Sequence, residues 1–190
     1  MCTKKFLKVF GLLLVVVLLA AALPLQAKAA TTTVTCTGTG DTALLQSAID
    51  AATNGDTISV TGTCVLDSNI TVSKAVTLDG NNKAAKIQVS GTGYRITMTT
   101  AGATLQNFEI EKSDKTGEQN IIWINASNIT IANNKVHGQF VIGENEVSRA
   151  IVISGGHSGL LMTANEFYGR RQPAYISGVT TGTISNNLAK

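Results

Sequence analysis

Short alternations of apolar and polar residues run along this chain, and one of them recurs. The segment ATLQNFEI at 103–110 returns as NITIANNKV at 128–136, as GLLMTANEF at 159–167 and as GTISNNLAK at 182–190. Aligning Leu105, Ile131, Met162 and Ile184 gives spacings of 26, 31 and 22 residues. Apolar residues at every second position predict short strands with one buried face, and the Asn or Gly that follows predicts a tight corner.

Repeats of about two dozen residues predict a β-solenoid, in which each lap of the chain stacks on the one before it. We expect about five to six rungs of short parallel strands, with the apolar residues directed inward. The predicted inward-facing residues are Ile58, Val60, Ile70, Val72, Val76, Leu78, Ile87, Val89, Ile96, Leu105, Ile110, Ile122, Ile124, Ile129, Ile131, Ile151, Ile153, Leu161 and Ile184. An antiparallel sandwich or a second long helix would contradict this prediction.

A single helical pattern precedes the repeats. Residues 41–53 begin with Asp41, a suitable N-cap, and Asn54–Gly55 is a suitable C-terminal stop. One apolar stripe is formed by Leu44, Leu45, Ala48, Ile49 and Ala52. A helix of some other α/β protein is the alternative, but no second helical pattern follows.

The segments after this helix carry a family resemblance. They read GDTISVTGTCVL from Gly55 and KAVTLDGNN from Lys74. With the repeats, they resemble the right-handed parallel β-helix proteins of the pectate-lyase-like superfamily over essentially everything after the N-terminal segment. The resemblance implies an all-β fold for residues 30–190: a right-handed, single-stranded parallel β-helix with rungs from about 55 and a short N-terminal capping α-helix.

The first 29 residues have the pattern of a secretory signal peptide. Lys4, Lys5 and Lys8 precede an apolar run at 10–23, and small residues at 27–29 suit cleavage. The apolar run is short for a membrane span, so we expect no span after cleavage. The pattern predicts a secreted, extracellular or cell-surface protein.

Removal of this segment changes the charge of the chain. The formal net charge is +3, but four of its lysines lie in the leader, which contains no acidic residue. The mature chain keeps 11 basic residues against 12 acidic ones. It therefore lacks the basic field that nucleic-acid binding requires, and no nucleic-acid partner is predicted.

Two cysteines remain after cleavage, Cys36 and Cys64. In a secreted chain they predict a disulfide that ties the strand before the helix to the first rung. Closing that loop stabilises the fold by about 3.5 kcal/mol in the chain-entropy account. Two separate buried thiols are the alternative. Two cysteines without histidine partners do not predict a metal site.

The end of the sequence, SNNLAK, follows a strand and its asparagine corner directly. Solenoids need a capping element over their last rung, and an open strand edge invites pairing. We therefore expect a C-terminal truncation, with further rungs or a partner chain covering the open end.

Candidate chemistry lies in residues 165–187. The segment NEFYGRRQPAYISGVTTGTISNN resembles the pectate-lyase stretch in which Arg-x-Pro-x-x-Arg-x-Gly precedes paired asparagines, with Arg171, Pro173 and Gly178 on matching positions. The resemblance implies that Arg171 is the catalytic base that removes the proton α to a uronate carboxylate. That chemistry also needs cations that neutralise the developing enediolate.

The sequence departs from the lyase pattern at two places. Ile176 replaces the second arginine, and Asn125 and Ala126 replace the Asp and His of a Trp-Ile-Asp-His signature. Glu109 and Glu111 are two residues apart on one strand face and could share a cation. No cofactor is predicted beyond the Ca²⁺ that a lyase-like activity would use, and no metal-ligand cluster is predicted.

Other polar residues give weaker indications. Lys135, Arg149 and Arg170, with Arg171, predict a groove along one sheet that holds an anionic sugar chain. The histidines His137 and His157 lack the partners of a nucleophilic triad and are expected at the surface. The loop carboxylates Glu144 and Glu146 could form a hydrolase acid pair, although solvated charges are the simpler interpretation.

Two function classes stay open. The first is the N-terminal part of a secreted polysaccharide lyase or glycoside hydrolase. The second is a non-catalytic β-helix, such as a cell-surface stalk, an adhesin or a carbohydrate-binding solenoid. In both, the expected partner is a polysaccharide or cell-wall glycan.

Overall fold

The structure is a computed structural model that describes residues 28–89, 95–112, 120–143 and 148–190. Nearly all of the predicted signal peptide at 1–29 lies outside the described residues, and so do Glu144 and Glu146. The described residues form a parallel β-solenoid of about 6 turns with one short helix. The predicted parallel β-solenoid, its number of rungs and its N-terminal helix are therefore confirmed.

Each turn of the solenoid contributes to three faces. Face one begins with the first half of β2 (Thr57–Leu66) and continues through β4 (Thr77–Asp79), β7 (Thr104–Gln106), β10 (Thr130–Ala132), β13 (Leu160–Thr163) and β16 (Gly182–Ser185). Face two begins with the second half of β2 and continues through β5 (Lys86–Val89), β8 (Glu109–Lys112), β11 (Lys135–Gly138), β14 (Glu166–Tyr168) and β17 (Leu188–Ala189). Face three contains β3 (Ile70–Val72), β6 (Ile96–Met98), β9 (Ile122–Ile124), β12 (Arg149–Ser154) and β15 (Gln172–Ser177).

The register of face one confirms the alignment of the sequence repeats. Leu105 pairs with Ile131, Ile131 with Met162, and Met162 with Ile184. Because all these strands are parallel and side chains alternate along a strand, each column of paired residues faces the same way. Apolar columns therefore stack into one continuous core.

The predicted inward positions are buried, with two exceptions. Leu161 is 37% exposed, because Leu160 and Met162 take the inward positions of β13 and leave Leu161 outside. Ile184 is 54% exposed although it pairs with Met162, since β16 has no further strand beside it in the described part of the chain.

The helix α1 (Asp41–Ala51) covers the first rung, with Leu45 and Ile49 fully buried. Leu44 belongs to the same predicted stripe but is 45% exposed. Leu45 and Ile49 form the centre of the stripe and reach the core, whereas Leu44 lies at its edge. The prediction that Asp41 is the N-cap is wrong, since Gly40 holds that position in a left-handed conformation. Asp41 is instead buried in the first turn.

Side chains of α1 satisfy backbone groups that the first rung leaves unpaired. Asp41 accepts hydrogen bonds from the backbone N–H groups of Thr37, Gly38 and Val65 at 2.8–3.0 Å. The amide of Gln46 accepts from the N–H of Thr71 at 2.8 Å and donates to its carbonyl at 3.1 Å, as a neighbouring strand would. The helix thus closes the sheet edge at this end.

The predicted disulfide is confirmed. Cys36 lies in β1 (Thr31–Thr37), which pairs in parallel with β2, and its sulfur is bonded to that of Cys64. The two Cα atoms are 4.9 Å apart, inside the range that a bridge requires. The bond fixes β1 to the first rung.

Candidate functional site

The charged side chains of the solenoid concentrate on face two. Successive strands place Lys86, Glu109, Lys135 and Glu166 opposite one another, so that positive and negative charges alternate along the solenoid axis. Together with Glu111 and His137, these residues are called the charged strip below. Opposite charges on neighbouring strands attract each other, and this register therefore stabilises the stacking of the rungs.

Glu109 is the centre of the charged strip. Its carboxylate lies 3.4 Å from Lys135 Nζ, 3.8 Å from Lys86 Nζ and 3.0 Å from His137 Nε2. Partial burial opposes ionisation of Glu109, but the hydrogen bond from His137 and the charge of Lys135 outweigh it and lower its pKa. The pKa of Glu111 is also lowered, mainly by its hydrogen bond from Lys86. Both carboxylates are thus held by protein cations.

His137 lies on the outer face, as expected, but its side chain is only 13% exposed. Its ring stacks on the ring of Tyr168, with centroids 4.7 Å apart and planes 4° from parallel. The same tyrosine hydrogen-bonds Lys135 and so raises the pKa of that amine. Tyr168 thus fixes the end of the charged strip, a role that single-residue patterns in the sequence did not reveal.

The four predicted substrate cations do not share one face. Lys135 lies on face two within the charged strip, whereas Arg149 lies on face three. Arg170, at the corner between these faces, turns its guanidinium inward, where it donates to the His137 carbonyl at 3.0 Å and to Ser148 Oγ at 3.2 Å. Arg171 is exposed at the same corner. The single groove predicted along one sheet is therefore not formed by these residues.

Arg171, the predicted catalytic base, borders a cavity of about 210 Å³ that Tyr168, Arg170 and Lys190 also line. The position at which lyases carry a second arginine is Ile176. Ile176 pairs with Ile153, which is buried, so this column faces the interior of the solenoid. Ile176 itself is 37% exposed, because β15 has no further strand beside it in the described part of the chain.

Face three presents a second group of ligand-type residues. Outward positions of β9, β12 and β15 pair as Trp123, Val152 and Tyr175, so the two aromatic rings stand in one column with Val152 between them. The guanidinium of Arg95 lies 4.7 Å from the ring centroid of Trp123, and that of Arg149 lies 4.7 Å from the ring centroid of Tyr175. These four charged and aromatic residues are called the Arg–aromatic face below.

The arginines of this face keep donors available. Arg149 uses its Nε to donate to Gln172 Oε1 at 2.9 Å, and neither Arg149 nor Arg95 forms an ion pair with a carboxylate within the described ranges. A guanidinium carries five N–H donors, and its contact with a ring uses none of them as a conventional hydrogen bond. Each arginine can therefore hold an anion while it keeps its contact with the ring.

Sequence reasoning identified Arg149 but missed Arg95, Trp123 and Tyr175 as partners. The recurring segments that the sequence shows most clearly are the strands of face one and the corners that follow them. Aligning face three in the same way places Trp123, Val152 and Tyr175 in one column, because each lies between two positions that face inward in their columns.

No group of three or more His, Cys, Asp or Glu side chains able to hold a metal ion occurs in the part of the chain that the structure describes. The same residues include no helix long and apolar enough to cross a membrane. No known protein family, curated protein or solved structure matches this chain. Kinship with the pectate-lyase-like superfamily therefore stays a prediction.

Proposed function

We propose that this protein is a secreted parallel β-helix that binds an acidic polysaccharide along the Arg–aromatic face. The observation that carries the proposal is the column containing Trp123 and Tyr175, each with an arginine against its ring. The apolar C–H face of a pyranose ring packs on an aromatic ring, and the arginine beside it pairs with a carboxylate or sulfate.

Two features support export of the protein. The charged start, apolar run and small-residue exit of the first 29 residues have the pattern of a signal peptide. The Cys36–Cys64 disulfide is typical of an oxidising compartment. Right-handed winding and descent from the pectate-lyase-like superfamily belong to the same proposal, since they rest on the resemblance of the first rungs.

Binding without catalysis is favoured over lyase chemistry. Ile176, in a column that faces the core, stands where lyases carry their second arginine. Glu109 and Glu111 form ion pairs with lysines and with His137, and they do not form an open cation site. Lyase activity is the second candidate, because Arg171 is exposed beside a cavity that contains Tyr168 and Lys190.

Affinity electrophoresis through gels that contain polygalacturonate, alginate or neutral cellulose derivatives tests the proposal on the mature chain. We expect retardation by the acidic polymers alone, and a weakening of about tenfold in Kd for Trp123→Ala and for Arg149→Ala. Arg171→Ala is the matched arginine control off the face and should bind as the wild type does.

Loss of binding in Arg171→Ala with full binding in Arg149→Ala would move the ligand to the corner cavity and contradict the proposed face. Absence of retardation in every acidic gel would overturn the proposed function. Ultraviolet absorbance of unsaturated uronates, measured with and without Ca²⁺, distinguishes lyase activity from binding without catalysis. Turnover that Arg171→Ala abolishes would establish a lyase.

A further inference from the structure

Face one, which the proposed function does not use, presents two outward columns of short side chains. The first contains threonine on every strand except β13, and it is called the threonine column below. Its members are Thr31, Thr57, Thr77, Thr104, Thr130, Leu161 and Thr183. The second column lies two residues further along the same strands and consists of Thr33, Ser59, Asp79, Gln106, Ala132, Thr163 and Ser185.

Strand propensity alone does not explain the threonine column. Threonine is favoured in strands generally, and this preference acts on all three faces. Beyond β2, however, neither outward column of face two contains a threonine, and lysine and glutamate alternate there instead. In the two columns of face one, Asp79 is the one ionisable residue, and its carboxylate accepts from the side chains of Gln106 and Asn107 at 2.9 and 3.0 Å. Face one is therefore the uncharged face of the solenoid.

The hydroxyls of the threonine column form a regular array. None of them hydrogen-bonds another protein group within the part of the chain that the structure describes. Neighbouring rungs are about 4.8 Å apart, and outward residues of one strand are about 6.6 Å apart. The branched Cβ restricts each threonine to few rotamers, so threonines in equivalent surroundings are restricted alike. The array therefore offers donors and acceptors at two fixed spacings.

From this array we infer that face one binds the surface of ice. The oxygen atoms on a prism plane of hexagonal ice repeat at distances close to both spacings of the array. Water molecules that bridge hydroxyls of adjacent rungs thus lie near lattice positions, and such bridges are nearly as favourable as direct hydrogen bonds. An ice surface carries no ions, so an uncharged face complements it. The ions of face two would have to lose water to reach the same surface.

The ligand is an ordered water lattice, and this function is separate from the polysaccharide binding proposed for face three. Each hydroxyl contributes little, so adsorption requires many rungs to engage the lattice together. A crystal with adsorbed protein grows only between the adsorbed molecules, which lowers its freezing temperature below its melting temperature. Leu161 interrupts the column and carries no hydroxyl, so it weakens the match at one rung.

Nanolitre osmometry of the mature protein tests the inference through thermal hysteresis, the gap between the melting and freezing temperatures of a seed crystal. We expect the wild type to shape the crystal and to show this gap. Thr104→Tyr places a bulky ring in the middle of the column and should abolish both effects. Thr97→Tyr is the matched control, because Thr97 lies outward on face three between Ile96 and Met98, and it should keep both. Leu161→Thr completes the column and should widen the gap.

Circular dichroism and urea denaturation establish that each variant is folded. Absence of crystal shaping and hysteresis in the folded wild type would overturn the inference, and so would an equal loss in folded Thr97→Tyr. A dimer that Thr104→Tyr dissociates in sedimentation experiments would assign face one to a second copy and would also overturn it. The proposed function is tested separately, since Arg149→Ala should lose retardation in acidic gels and keep hysteresis, whereas Thr104→Tyr should do the reverse.

Discussion

At the residue scale, two adjacent columns at the corner between faces one and two have different roles. The inner column is buried: Asn134 and Asn165 each accept from a backbone N–H of the preceding rung and donate to a carbonyl there. The outer column holds the left-handed conformation that the turn requires, with Asn107, Asn133 and Asn186 near φ +60°. Asparagine suits both columns, but for separate physical reasons.

Replacing Asn165 by alanine tests the inner column. The side chain accepts from Asn134 N–H at 3.0 Å and donates to the Ile131 carbonyl at 2.8 Å, and alanine would remove both of these buried hydrogen bonds. We expect Asn165→Ala to lower the free energy of unfolding by about 3 kcal/mol. Urea denaturation measures the loss. The exposed Asn125→Ala is the control, and an equal loss there would contradict a specific role for the column.

Replacing Ala164 by asparagine tests the outer column. Ala164 has φ 55° at a position where the neighbouring rungs carry asparagine. An asparagine there tolerates this conformation better and can donate to Asn133 Oδ1, as Asn133 donates to Asn107 at 2.7 Å. We expect Ala164→Asn to raise the free energy of unfolding by about 0.5–1 kcal/mol, and Ala164→Val to lower it. A lower melting temperature for the asparagine variant would disprove this account.

At the scale of elements, β1 and α1 seal the N-terminal end of the solenoid. The strand adds a parallel neighbour to β2, and the helix supplies Asp41 and Gln46 to backbone groups that would otherwise be open. The disulfide joins β1 covalently to β2. This end therefore has no free strand edge at the positions that these side chains occupy.

Thiol labelling tests the disulfide that fixes β1 to the first rung. Labelling of the non-reduced mature protein should find neither Cys36 nor Cys64 free, because the two form one bond. The double variant Cys36→Ser/Cys64→Ser should lose about 3.5 kcal/mol of stability through the freer unfolded chain. Reduced wild type serves as the control and should unfold at a similar urea concentration. Stoichiometric labelling of both cysteines without reductant would contradict the bond.

At the scale of the whole molecule, the faces divide the polar functions. Face two carries the charged strip, in which most charges are balanced across the rungs, while face three carries arginines stacked on rings. Balanced charge stabilises the stack, and unbalanced charge is available to a ligand. The two faces should therefore respond differently to pH and to added polysaccharide.

Acid should weaken the stack through the charged strip. The pKa values of Glu109 and Glu111 are lowered from their ordinary value of 4.5, so their stabilisation is complete above that value and is lost as pH falls through the folded-state pKa values. Thermal unfolding from pH 7 to pH 3 should show a steeper decline in the wild type than in Glu109→Gln/Glu111→Gln. Asp67→Asn, an exposed change outside the strip, should keep the wild-type profile. Parallel profiles for all three would contradict the prediction.

The sequence by itself determined the parallel solenoid, because apolar alternation and asparagine corners recur with a register that Leu105, Ile131, Met162 and Ile184 keep in space. It also indicated the disulfide, since only two cysteines follow the predicted signal peptide. Such features depend on local periodicity, which a linear pattern records directly.

Only the tertiary structure decided which cationic and aromatic side chains lie on the same face of the solenoid. Lys135 and Arg149 are 14 residues apart in the chain, yet they lie on different faces, because a corner separates their strands. Trp123 and Tyr175 are 52 residues apart and share one column, because two laps of the solenoid return the chain to the same face. Position around the axis depends on the sum of all strand and corner lengths between two residues, and the spacing of a single motif does not contain that sum.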